Sequence, residues 1–130
     1  MKRHLTLLYA AALVMIIPLI LVKIPAAGSQ TESPVLGVQE FMKNVDRYRG
    51  KVRLEGVVSA VSPSDQALSL IDIQELKDCG VTTCAPLTLP VKWKGPLPAV
   101  RDVVQLEGEV RKSGGKLFFE ASRLQKKGSK

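Results

Sequence analysis

Histidine is all but missing from this chain of 130 residues: the one copy, His4, stands ahead of almost everything else. The rest of the sequence therefore has no imidazole to act as a general base, to activate a nucleophile or to hold a metal. Carboxylates do not fill that gap. Glu55 and Glu107 occupy equivalent places in two strand-like segments, which makes them strand-surface residues, and Asp72, Glu75 and Asp78 gather loosely near a loop. Ser113-Gly-Gly-Lys116 lacks the Gly-x4-Gly-Lys-Ser/Thr pattern of a phosphate loop and joins two strand-like runs, where a phosphate loop opens a helix. The sequence reads as no enzyme.

Aromatic residues are also scarce, at 5%. Beyond the first 28 residues they are Phe41, Tyr48, Trp93, Phe118 and Phe119. Single-strand nucleic-acid binders set aromatic platforms in a basic groove. Here Phe41 belongs to a helical apolar stripe, and Trp93 shares the parity of Leu89 and Val91. Acidic residues are absent before Glu32. The three cations of that first stretch, Lys2, Arg3 and Lys23, leave 16 Lys and Arg against 12 Asp and Glu in the remainder, a net +4. Much of the excess lies in Arg123, Lys126, Lys127 and Lys130, and residues 126–130 read as a solvated basic tail able to meet anionic lipid or an acidic partner.

What the start of the chain does have is a long apolar run. Met1-Lys2-Arg3-His4 is basic, and no charge follows from Leu5 to Val22. About 18–20 apolar residues suffice to cross a bilayer as a helix. Positive charge ahead of the run keeps the N-terminus in the cytoplasm and sends the remainder out. Ala26-Ala27-Gly28-Ser29 supplies small residues for a signal peptidase, but the run exceeds the roughly 7–15 residues of a usual signal core. Residues 1–28 are therefore expected to be an uncleaved signal anchor, with a cleaved signal peptide as the alternative. The domain is placed in the periplasm or extracytoplasmic space, anchored to the inner membrane or released after cleavage.

Residues 29–34 are small and polar and read as a linker. Val38, Phe41, Met42 and Val45 then fall at i, i+3, i+4 and i+7, which predicts an amphipathic helix over 35–47, with Pro34 near its first turn. Five strand signals follow, over 51–61, 67–73, 87–93, 102–112 and 116–124, the last two joined at Ser113-Gly114-Gly115. Two of them carry near-copies of one phrase, Val52-Arg-Leu-Glu-Gly-Val-Val58 and Val104-Gln-Leu-Glu-Gly-Glu-Val110. A glycine inside a strand marks a bulge or bend, so Gly56 and Gly108 are taken as matched bending points of two coiled strands. One helix and five strands, two of them coiled, predict a mainly β, OB-fold-like five-stranded Greek-key barrel over 35–125. A simple five-strand sandwich is the alternative and leaves edges to protect.

Cys79 and Cys84 lie in the loop between the second and third strands. They fall short of the four ligands of a structural zinc site, and their spacing is neither Cys-x-x-Cys nor Cys-x-x-Cys-His. In an exported domain such a pair predicts a disulfide. Metal: none is expected. Loops carry binding on a filled barrel. The candidate partner-binding elements are the Cys79–Cys84 loop, the proline loop Gly95, Pro96, Leu97 and Pro98, and the outward lysines Lys92 and Lys94.

The stretch Val91-Lys-Trp-Lys-Gly-Pro-Leu-Pro98, followed by Val103–Val110 and Leu117–Leu124, resembles the periplasmic OB domain of the cytochrome c maturation haem chaperone family. The resemblance implies a membrane anchor, a β-barrel and a role beside a redox or cytochrome maturation system. That family attaches haem through a histidine, in some members a cysteine, in a His-x-x-x-Tyr type motif after the last strand. Leu124-Gln-Lys-Lys-Gly-Ser-Lys130 has none of these residues, so no haem-binding residue carries over and haem is implied by resemblance only. The expectation is a membrane-tethered extracytoplasmic binding or accessory module with a protein partner. A haem or metal chaperone and a single-stranded nucleic-acid-binding OB-fold are the alternatives.

Overall fold

The computed structural model describes residues 32–130, which form one compact unit. The expected anchor or signal segment and the first residues of the linker lie outside the described residues. Among the described residues no helix is long and apolar enough to cross a membrane.

The described chain runs β1 (Val35–Gly37), α1 (Val38–Lys43), a 3-10 turn (Val45–Arg47), β2 (Val52–Ser62), β3 (Ala67–Ile71), α2 (Ile73–Cys79), β4 (Leu89–Lys92), β5 (Asp102–Ser113) and β6 (Lys116–Ser129). β2 pairs antiparallel with β3, β3 with β4, and β5 with both β6 and β2, while β4 and β6 run parallel. Five strands, β2 to β6, thus close on themselves. The result is a mainly β closed barrel with few helices, consistent with an OB-fold-like barrel.

The repeated phrase pairs with itself. Val52 lies opposite Gly108, Leu54 opposite Leu106 and Gly56 opposite Val104, so the two copies run antiparallel about a local two-fold at the leucines. Leu54, Val104 and Leu106 are buried in the barrel core with Leu70, Leu89, Val91 and Phe119. The glycines permit close approach. A methyl at Gly56 would stand 2.7 Å from Val38 Cγ2 and 2.8 Å from the Ile71 carbonyl oxygen. At Gly108 it would meet the Glu120 carbonyl and stand 2.8 Å from Ala121 Cα. Gly108 also sits at a register shift between β5 and β6, and β2 shifts register against β3 between Val58 and Ala60, shortly after Gly56.

The segment predicted as one helix over 35–47 is divided. β3 pairs with β2 only from Val57 onward, leaving the backbone of Arg53–Glu55 open on that side. Val35–Gly37 fills it as a parallel strand and buries Leu36. The helix starts at Val38 and continues the apolar stripe: Val38 and Phe41 are fully buried, and Phe41 meets Phe119 edge-on at a centroid distance of 5.9 Å.

The second strand, predicted over 67–73, ends at Ile71, and a second helix, α2, begins at Ile73. Asp72 ends that strand because its carboxylate accepts the Gln74 N–H at 2.9 Å, an N-cap, and Gly80 closes the helix in the left-handed conformation at φ 79°. Leu76 and Ile73 of α2 pack on Val57, Ile71 and Val103, a smaller cluster of its own. The expected disulfide is present: Cys79, the last residue of α2, is joined to Cys84.

The segment read as a basic tail over 126–130 is instead strand almost to its end. β6 pairs with β5 as far as Ser129. Side-chain bonds to Asp102 reinforce that ladder: Ser129 Oγ donates to Oδ1 at 2.7 Å and Lys126 Nζ lies 2.9 Å from the same oxygen.

Candidate functional site

Lys92 sits at the end of β4 with Glu120 of β6 beside it, and Glu120 in turn faces Glu109 on β5. Two carboxylates directly opposite each other repel. Arg111 resolves this by lying 3.2 Å from Glu109 Oε2 and 3.1 Å from Glu120 Oε2. Lys51, just ahead of β2, and Lys94, just beyond β4, complete a groove of about 430 Å³ whose floor is Gly108, Ala121 and Ser122. A methyl at Gly108 would point at the β6 backbone and the buried Phe119 ring, and Ala121 packs on the core, so both meet the groove chiefly through backbone. At this point the register shift leaves Ser122 outside the β5–β6 ladder, with its hydroxyl donating to the Glu107 carbonyl at 3.0 Å.

The charges of the groove are not equally engaged. Arg111 holds both glutamates. Lys92 Nζ donates to the Asp65 carbonyl at 3.3 Å, and neither Lys51 nor Lys94 makes an ion pair among the described residues. The three ammonium groups are exposed. This arrangement offers cationic donors to an incoming anion while its own carboxylates are already paired.

The structure brings the predicted Lys92 and Lys94 together with Lys51 and Arg111, which sequence spacing did not connect. The proline loop has an anchoring role. Trp93 Nε1 donates to the Pro96 carbonyl at 3.0 Å, the indole lies against Gly95, and Leu97 packs on the barrel core beside Pro98. Cys79 and Cys84 are exposed on the α2 side and do not line the groove. Of the two repeat glycines, Gly108 is in its floor and Gly56 is under α1.

Other features lie apart from the groove. A hollow of about 410 Å³ between α2 and the end of β6 is bordered by Glu55, Lys77, Lys127 and Lys130. Both carboxylate oxygens of Glu75 are buried without a hydrogen-bond partner among the described residues. Asp102 is buried, and its carboxyl is held down to about 2 by hydrogen bonds from Lys126 and Ser129, and further by the Ala99 N–H, against the opposing effect of burial. Among the described residues no group of three or more His, Cys, Asp or Glu is placed to hold a metal ion.

No family model matches the chain, and no curated protein sequence matches it. Among solved structures it is similar to the hypothetical protein YgiW from E. coli, with 18% identity over 72% of this chain and 88% of that chain and a TM-score of 0.43.

Proposed function

We propose that this protein is a non-enzymatic, membrane-tethered binding module of the extracytoplasmic space, an OB-fold-like Greek-key barrel that recognises an anionic partner at the groove between β4, β6 and β5. The observation that carries the reading is the convergence of Lys51, Lys92 and Lys94 on a groove whose own carboxylates are taken up by Arg111. A solvated lysine face needs no such internal neutralisation. The tether rests on the uncharged run Leu5–Val22 and the basic residues ahead of it. Assistance to a redox or cytochrome maturation system belongs to the same proposal and rests on the resemblance in Val91–Pro98 and the strands after it.

The test is a photo-crosslinking residue at Ser122 in the full-length protein in its own membranes. A discrete crosslinked partner that disappears in Lys92→Glu/Lys94→Glu supports the reading. A crosslinking pattern unchanged by the charge reversal refutes the groove as the contact surface.

A further inference from the structure

Resting on that reading, we infer that the occupant of the groove is an extended acidic segment of a protein partner, laid beside the backbone of β6 where β4 leaves it. β4 pairs with β6 only at Phe119 and Glu120, so from Ala121 onward β6 has no strand on that side among the described residues. The two residues next in line, Ala121 and Ser122, form the groove floor, and Ser122 is the residue that the register shift leaves out of the β5 ladder. Backbone N–H and C=O groups at a bulged, open edge are a template for an added strand, and bulges recur where a surface is shaped for contact. Lys92 and Lys94 stand at this opening on the β4 side, and Lys51 lines the groove beyond β5.

The same features choose among anions. Glu109 and Glu120 stand among the lysines in the groove lining, Glu120 directly beside Lys92, and both are held by Arg111. A nucleic-acid strand carries a charge on every phosphate but has no backbone amides to pair with the open edge of β6. A peptide with acidic residues at alternate positions sets its carboxylates on the face that carries the lysines and turns neutral side chains to the other, because alternate residues of an extended chain face opposite ways. The groove lining also has no aromatic side chain on which bases would stack. A second copy of this chain would bring the same excess of cations to the groove and be repelled.

Full-length protein in detergent is titrated against fluorescein-labelled peptides and followed by anisotropy: an alternating Glu-Thr peptide, the same peptide N-methylated at alternate amides, and oligothymidine. The alternating peptide is expected to bind, and its affinity to fall about tenfold or more in Lys92→Glu/Lys94→Glu. Lys77→Glu/Lys127→Glu, at the separate hollow, leaves it unchanged. N-methylation, which keeps the charge and removes backbone donors, is expected to weaken binding by a similar factor and needs no variant protein. Equal binding of the N-methylated peptide, or tighter binding of oligothymidine, overturns the extended-peptide inference and leaves an anion-binding module standing. Absence of binding by every probe overturns both.

Discussion

The carboxylate of Asp72 lies against Gly37 so closely that a methyl there would stand 2.8 Å from Oδ2. The contact exists because Asp72 serves two helix starts at once. Its Oδ1 accepts the Gln74 N–H of α2 at 2.9 Å, and its Oδ2 accepts the Gln39 N–H of α1 at 3.0 Å. Neither helix is long enough to stand alone, at six and seven residues.

Asp72→Ala is accordingly expected to cost about 2 kcal/mol, near the upper end for a single cap. Hydrogen exchange should quicken at both Gln39 and Gln74. Faster exchange at Gln74 alone would show that α1 does not depend on this carboxylate.

The two repeat glycines predict unequal penalties. At Gly108 an added methyl meets the Glu120 carbonyl and Ala121 Cα, backbone of the paired strand, whereas at Gly56 one of the two closest atoms is a Val38 methyl that a small shift of α1 relieves. Gly108→Ala should lower stability by roughly 1–3 kcal/mol and Gly56→Ala by less. Urea unfolding midpoints decide the order.

Acid should remove the contribution of Asp102 only below about pH 4. Its folded pKa of about 2 is below the reference value of 3.8, so its contribution is complete above that reference. As pH falls from about 4 toward 2 the unfolded chain takes up the proton first, and the contribution is lost. Urea midpoints of the parent should therefore drop across this window more steeply than those of Asp102→Asn, which has no carboxylate to titrate. Parallel curves would mean that the Lys126 and Ser129 bonds do not hold the charged form.

The disulfide closes a small ring, with the cysteines five positions apart, so the chain-entropy model allows it about 2 kcal/mol. Cys79→Ser/Cys84→Ser should remain folded, with loss of amide protection confined to α2 and the loop after it. Global unfolding of the variant at room temperature would contradict this.

The five barrel strands were legible because each alternates apolar and polar residues, and the hairpin because Gly114 and Gly115 supply the positive φ values of 56° and 75° that its turn needs. The elements that were missed have physical reasons. β1 is three residues long and exists only because β2 leaves an edge open, which local sequence does not reveal. α2 has only Ile73 and Leu76 as its apolar stripe, although Asp72-x-x-Glu75 is the spacing of a helix start and was the available signal. The end of β6, Lys126-Lys127-Gly128, shows no apolar alternation because backbone pairing and Asp102 hold it. At the groove, Lys92 and Lys94 could be read from one strand. Lys51 and Arg111 could not, since only barrel closure brings them there.

Where the two copies of the phrase pair across β2 and β5, valine meets glycine on either side of a central leucine pair. Such a pattern is a palindrome, and it does not tell one copy from the other. The first copy of one molecule would fit the first copy of a second molecule equally well, with Arg53 of each facing Glu55 of the other. Within the folded chain this pairing is prevented by covalent tethering, which keeps the proper copy at high local concentration, and by β1 and α1 lying on β2. Refolding from denaturant at high protein concentration removes both safeguards for a time. A strand-exchanged dimer is the by-product expected there, visible by size exclusion and absent on dilute refolding.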